Sequence, residues 1–418
     1  MIAADLVVDS IGELVTLADG PVPRTGDAME SLGRVHRAAL AVAGGRFVFV
    51  GSSRQLARDV RLRRGGVRID ADGGSVVPGF VDAHTHVVFA GDRHHELGAK
   101  LRGATYAEVA ARGGGLFSTV RATREATDRE LLTSATARLR SMGAHGTTTA
   151  EVKSGYALTP AGELRLLRLV PKLARTTGLR LVPTFLGAHA VPPEFAGRAD
   201  AYVDQLVNEA IPAVARARLA RYCDVFCEPG FFSVEQSRRI LEAAIRHGLG
   251  TKIHADEFVY SGGARLAAEL HATSADHLLE APRDDLEALA RAGVTAVLLP
   301  VTPFASMVAK PGTGRRMVDA GVAVALGSDL SPNSWVESMS VVLAHAVYGG
   351  RLTPAEALTA ATVNAAHAIG VSDRAGTIQV GRDADFAVFP VPSVDHLGYR
   401  IGAIPARVYR QGNAISSR

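Results

Sequence analysis

Polarity along the chain changes its rhythm twice. Over the first 75 residues short β-prone runs alternate with glycine turns: Asp5 to Asp9, Ala39 to Gly51, and Gly66 to Gly74. Gly44-Gly45 inside the second run predicts a hairpin. Beyond residue 75 apolar runs of strand length alternate with segments of helical period. Eight candidate strands fall near 76–84, 147–153, 180–187, 223–228, 250–254, 272–276, 295–300 and 322–328. The segments from Ala161 to Val170 and from Ser233 to Ile245 carry the helical spacing, and Ser233 with Gln236 fits a capping box. The tail returns to short strands at Gly376 to Ile378, Ala384 to Phe389 and Ala406 to Asn413. Strand–helix alternation predicts a parallel sheet. The fold class is therefore α/β: a (β/α)8 barrel over residues 76–370, inserted into a small β-sandwich made by both chain ends, 1–75 and 371–418. An open doubly wound sheet is the alternative, but no Gly-X-Gly-X-X-Gly loop follows a strand. Gly113-Gly114-Gly115 reads as a loop over the site or as a plain turn.

Several predicted strands end in side chains that bind metal or move protons. His84-Thr85-His86 closes the first apolar run, and alternation in a strand turns both imidazoles to one side. His254 closes the fifth strand, His277 the sixth and Asp329 the eighth. Carboxyl ends of successive strands are where a barrel builds its site. An isolated His-X-His is as well explained by packing; four such strand ends in order are not. His84, His86, His254 and Asp329 would hold one divalent ion and leave a position for water. Asp329 could also accept a proton from that water. His277 could hydrogen-bond the water or a polarised carbonyl, and Glu257, three residues past His254, could carry a proton to a leaving nitrogen.

Composition narrows the class. Hydrophobic residues make up 47% of 418, enough for a large core. The net charge of +4 is small for this length, and no basic block with interleaved aromatics occurs, so no nucleic-acid partner is expected. No apolar run reaches the roughly 18 residues of a membrane helix. The N-terminus lacks a basic signal-peptide region, and the two cysteines, Cys223 and Cys227, have no metal-finger spacing. A cytoplasmic enzyme with a small-molecule substrate is the expectation.

The His-X-His, His, His and Asp pattern, preceded by Pro78-Gly79-Phe80-Val81-Asp82-Ala83, resembles the amidohydrolase superfamily. Relatives with two metals carry a lysine on strand four; here that strand reads Cys223-Asp-Val-Phe-Cys-Glu228, which favours one metal unless Glu228 bridges a second. Lys153 ends strand two and reads as a structural or supporting partner. The stretches Val88 to Arg93, Arg102 to Tyr106, Gly113 to Arg124, Glu151 to Tyr156, Phe185 to His189 and His254 to Phe258 together resemble the imidazolonepropionase family. That resemblance spans nearly the whole chain. It implies hydrolysis of the cyclic amide of 4-imidazolone-5-propanoate to N-formimidoyl-L-glutamate with one Zn2+ or Fe2+. It also implies a homodimer, a catalytic Glu257, and substrate contacts from Arg93, Tyr156 and His189. Ser331, Asn333 and Ser334 fall in the loop that this family uses to hold its ligand. Ser331 and Asn333 depart from the asparagine and glycine usual there, and Val301 from another glycine. A paralogue acting on a related cyclic amide, a deaminase of the superfamily, and a metal-free scaffold are the alternatives.

Overall fold

The computed structural model describes residues 1–103, 108 and 114–415. Ala104, Thr105, Tyr106 and Gly113, part of the motifs above, lie outside the described residues. Five strands precede the barrel helices: β1 (Ile2–Val15), β2 (Arg34–Ala43), β3 (Arg46–Ser52), β4 (Val60–Asp70) and β5 (Ser75–Pro78). β1 is long because it serves three neighbours. It pairs antiparallel with β2 and parallel with both β4 and β5. Gly44 and Gly45 make the β2–β3 hairpin with φ of 57° and 77°, a conformation open to glycine without a Cβ clash. A short helix, Ser53–Asp59, interrupts this region, which the sequence reads as strands and turns alone; Ser52 and Gln55 form its capping box.

The barrel follows with β6 (Phe80–Asp82), β7 (Thr147–Lys153), β8 (Arg180–Ala188), β9 (Tyr222–Cys227), β10 (Gly250–Ala255), β11 (Ser274–His277), β12 (Thr295–Leu298) and β13 (Val324–Leu326). Neighbours in this order pair in parallel from β6 to β13. The ring closes at the carboxyl ends of its first and last strands. Ala83 N–H donates to the Leu326 carbonyl (3.2 Å), Asp329 N–H to that of His84 (3.0 Å), and His86 N–H to that of Leu330 (2.9 Å). Gly327 permits this closure: a Cβ there would lie 2.7 Å from the His84 Cβ and 2.8 Å from Leu299. Helices such as Pro160–Thr177 and Val234–Arg246 cover the outside, the latter with the Ser233–Gln236 capping box intact.

Three tail strands, β14 (Phe386–Phe389), β15 (Arg407–Arg410) and β16 (Asn413–Ala414), then complete the first sheet, β14 pairing antiparallel with β5. The strand expected at 76–84 is therefore two strands in two sheets. Val76 and Val77 belong to the sheet of the chain ends, and Phe80 to Asp82 to the barrel, with the chain passing between them at Gly79. A Cβ at Gly79 would sit 2.3 Å from Thr148, so only glycine makes that passage. Gly376 to Ile378 is not a strand, although Ile378 N–H still donates to the Thr16 carbonyl (2.8 Å). No helix among the described residues is long and apolar enough to cross a membrane.

Candidate active site

At the closed end of the barrel His84, His86 and Asp329 point at one spot. His84 Nε2 and His86 Nε2 are 3.2 Å apart, and Asp329 Oδ1 lies 3.6 Å and 3.4 Å from them. Ligand atoms about 2.0–2.1 Å from a tetrahedral ion are separated by about 3.3–3.4 Å. The spacing of the three atoms is close to the edges of such a site. A second group, His84, His254 and His277, converges within 4.8 Å and shares His84 with the first. Both ring nitrogens of His254 are buried without a hydrogen-bond partner, which fits a side chain prepared for a metal. Burial pushes the pKa of His84 and His254 well below the usual histidine value, and Lys153 pushes in the same direction, so both rings are neutral donors. Burial alone would raise Asp329, but the hydrogen bond and charge of His86, the charge of His277 and the Thr302 hydroxyl bring it down to about 2. Thr302 Oγ1 donates to Asp329 Oδ2 over 2.8 Å.

Two of these residues hold their geometry against backbone preference. His277 has φ of 73° and Asp329 of 52°, left-handed conformations that cost a non-glycine residue about 1–2 kcal/mol each. The ladder contacts at the closure supply the constraint for Asp329.

Beneath the site lies a charge cluster that sequence reasoning did not assemble. Lys153, fully buried, reaches Asp224 (2.6 Å), Glu151 (3.0 Å) and Asp276 (3.4 Å). Asp276 in turn accepts from His84 Nδ1 over 2.6 Å, and Asp224 stands 3.1 Å behind His254 Nδ1. The Asp276 carboxylate behind His84 fixes that ring's tautomer and turns its Nε2 toward the metal position, whereas Asp224 lies close to His254 without a hydrogen bond to it. Lys252 adds a second buried cation, 3.4 Å from Glu151. Burial alone would lower the Lys153 ammonium, but the three carboxylates hold it well above its usual value, so it stays charged. One signal for this cluster is present in the sequence. Glu151 and Lys153, and Lys252 and His254, are spaced by two within the segments read as strands, so each pair shares a face.

A cavity of about 600 Å³ opens above the cluster. His86, His254, Glu257, His277 and Asp329 form its floor and wall, and Arg93, Tyr156, His189, Ser331 and Asn333 also line it. Glu257 is buried, with Oε2 3.5 Å from His277 Nε2. Burial, then the charges of Asp329 and Glu228, raise its carboxyl well above the usual range. Glu228 accepts the backbone N–H groups of Glu257 (3.1 Å), Phe258 (3.2 Å) and Val259 (2.8 Å); it braces the loop that carries Glu257. His189 stacks on His86 with centroids 5.0 Å apart and is tied through Nδ1 to the Gly155 carbonyl (3.0 Å). Arg93 has a buried Nε with no hydrogen-bond partner, its nearest carboxylate being Glu96 at 3.8 Å. Ser334 does not line the cavity. It is buried and closes a turn with Ser331, whose Oγ accepts its N–H at 3.2 Å. Cys223 and Cys227 are buried free thiols.

Comparison with known proteins gives the same assignment. Residues 75–409 match the amidohydrolase family. An imidazolonepropionase of Symbiobacterium thermophilum is 49% identical over 98% of this chain and 97% of its own length. One from Halobacterium salinarum is 47% identical over 96% and 95%. Among solved structures, an adenosine deaminase from Xanthomonas campestris with bound zinc superposes with a TM-score of 0.70, at 18% identity over 99% of this chain and 93% of that one. At that identity the likeness speaks for the fold alone. The sequence matches and the barrel with its His/Asp centre together show that the chain belongs to the amidohydrolase family, among the imidazolonepropionases.

Proposed function

We propose that this chain hydrolyses the cyclic amide C–N bond of 4-imidazolone-5-propanoate, giving N-formimidoyl-L-glutamate. One observation carries the reading: a single cavity joins the imidazole–carboxylate centre to Arg93, a cation with unused hydrogen-bonding capacity. A ring amide can meet the centre while a propanoate arm reaches the guanidinium, which matches a carboxylate in two-pronged fashion.

One divalent ion, Zn2+ or Fe2+, would be held by His84, His86, His254 and Asp329. When bound, such an ion supplies Lewis acidity, polarising a carbonyl and making a water more acidic at neutral pH. Asp329, ionised and facing the same point, takes a proton from the attacking water. The water oxygen joins the carbonyl carbon. His277 steadies the carbonyl oxygen as negative charge grows there. The ring C–N bond then breaks, its electron pair staying on nitrogen. Glu257, whose carboxyl is raised above the usual range and so holds its proton more tightly, delivers that proton to the nitrogen. Tyr156 and His189 flank the ring, and Arg93 fixes the arm.

The test is Arg93→Ala. We expect KM for imidazolone propanoate to rise at least about tenfold, equivalent to about 1.4 kcal/mol of lost binding, with little change for an analogue lacking the carboxylate. Equal losses for both compounds would remove the carboxylate from Arg93.

A further inference from the structure

We propose that Lys100 is a second anchoring cation for the substrate carboxylate, held over the cavity by Asn333 and acting beside Arg93. The inference rests on the reading above, that the substrate carries a carboxylate toward Arg93. Lys100 lies in the last turn of the helix His94–Leu101, and it lines the same cavity as Arg93. Its Nζ donates to Asn333 Oδ1 over 2.7 Å, and the Asn333 amide nitrogen reaches Ser306 Oγ at 3.5 Å. Among the described residues no carboxylate comes within 4.0 Å of Lys100.

The local charge count is therefore uneven. Among the described residues, the ion pairs of Arg93 and Lys100 come to one, the 3.8 Å contact of Arg93 with Glu96. Glu96 is itself partly engaged, since Oε1 accepts the Gly115 N–H at 2.7 Å. Burial, and then the charge of Arg93, lower the Lys100 pKa. A lysine at a helix end normally extends its ammonium into water. This one is half-buried, and its hydrogen bond is to an uncharged amide. Two like charges kept partly out of water are unfavourable until an anion joins them, and a carboxylate gripped by Arg93 through both oxygens still has lone pairs to accept from Lys100. Asn333, one of the positions that differ from the family pattern, is thus the residue that holds the ammonium in place. Its role is to position Lys100, which then contacts the substrate.

Calorimetric binding of imidazole-4-propanoate and of 4-propylimidazole to the metal-loaded protein tests this. The wild type should prefer the acid. Lys100→Gln should weaken binding of the acid by about tenfold while the neutral compound binds as before, and Lys100→Arg should restore most of the loss. In turnover, Lys100→Gln should raise KM and leave kcat nearly unchanged. Asn333→Ala should shift acid binding in the same direction by less. A Lys100→Gln protein that keeps the full preference for the acid overturns the role of Lys100 and leaves the reading of the substrate intact. A Lys100→Gln protein that loses both compounds equally also overturns it, since the residue would then be structural. A wild type with no preference for the acid overturns the substrate reading itself.

Discussion

Glu257→Gln is expected to lower kcat by about 100- to 10,000-fold, the usual contribution of a general acid or base, while bound metal stays at the wild-type level. The substitution keeps the shape of a buried side chain and removes its proton exchange. Because burial, Asp329 and Glu228 all raise the Glu257 carboxyl, its protonated form persists to higher pH than that of an ordinary carboxylic acid. The sign follows: the competent form is the acid, so wild-type kcat falls as pH rises through the raised pKa. That alkaline limb should disappear from the residual activity of the glutamine variant. Measuring kcat against pH for both proteins, with metal content in parallel, checks this. A near-normal rate in the variant would shift proton delivery to Asp329.

Lys153→Met should weaken metal binding by about 10- to 100-fold, the scale typical of lost support behind ligating side chains, and should destabilise the fold by about 3–5 kcal/mol. The ammonium neutralises three buried carboxylates, Glu151, Asp224 and Asp276, with Lys252 as the second cation. Once Lys153 is gone, Asp276 and Asp224 face one another with less compensation. Each must gain a proton or move, and His84, which is hydrogen-bonded to Asp276, loses its fixed orientation. Chelator competition for the metal and urea unfolding of metal-free protein separate the two effects. Unchanged metal affinity in a destabilised variant would make the cluster a matter of folding alone.

Much of the site could be read in the sequence because period-two alternation and barrel topology are both local rules. His84 and His86 meet at one spot although β6 ends at Asp82, His254 and His277 fall in the last two residues of β10 and β11, and Asp329 lies three residues past β13. Those rules say which way a side chain points and nothing about which strand stands opposite. The buried meeting of Lys153 with Asp224 and Asp276 depends on the ring closing, so it emerged only with the fold. The apolar run around Gly79 shows the same limit. Apolar content predicts burial, and both halves of that run are buried, but in different sheets. Ser334 and Asn333 illustrate a third case. They share a loop, yet Asn333 lines the cavity with its Oδ1 on Lys100 while Ser334 is buried outside the lining, its backbone N–H on Ser331 Oγ. Side-chain direction in an irregular loop follows from its neighbours, which no periodicity encodes.

The most direct test of the central claim follows freshly prepared 4-imidazolone-5-propanoate with the purified protein. The readouts are formation of N-formimidoyl-L-glutamate and metal per chain, for the wild type and for His254→Ala. The account predicts turnover in the wild type with one ion per chain, loss of turnover on chelation and its return when Zn2+ or Fe2+ is added back, and joint loss of metal and activity in the variant. Wild-type protein that carries its metal but leaves imidazolone propanoate intact, or a His254→Ala variant that retains both full metal and full turnover, would contradict it.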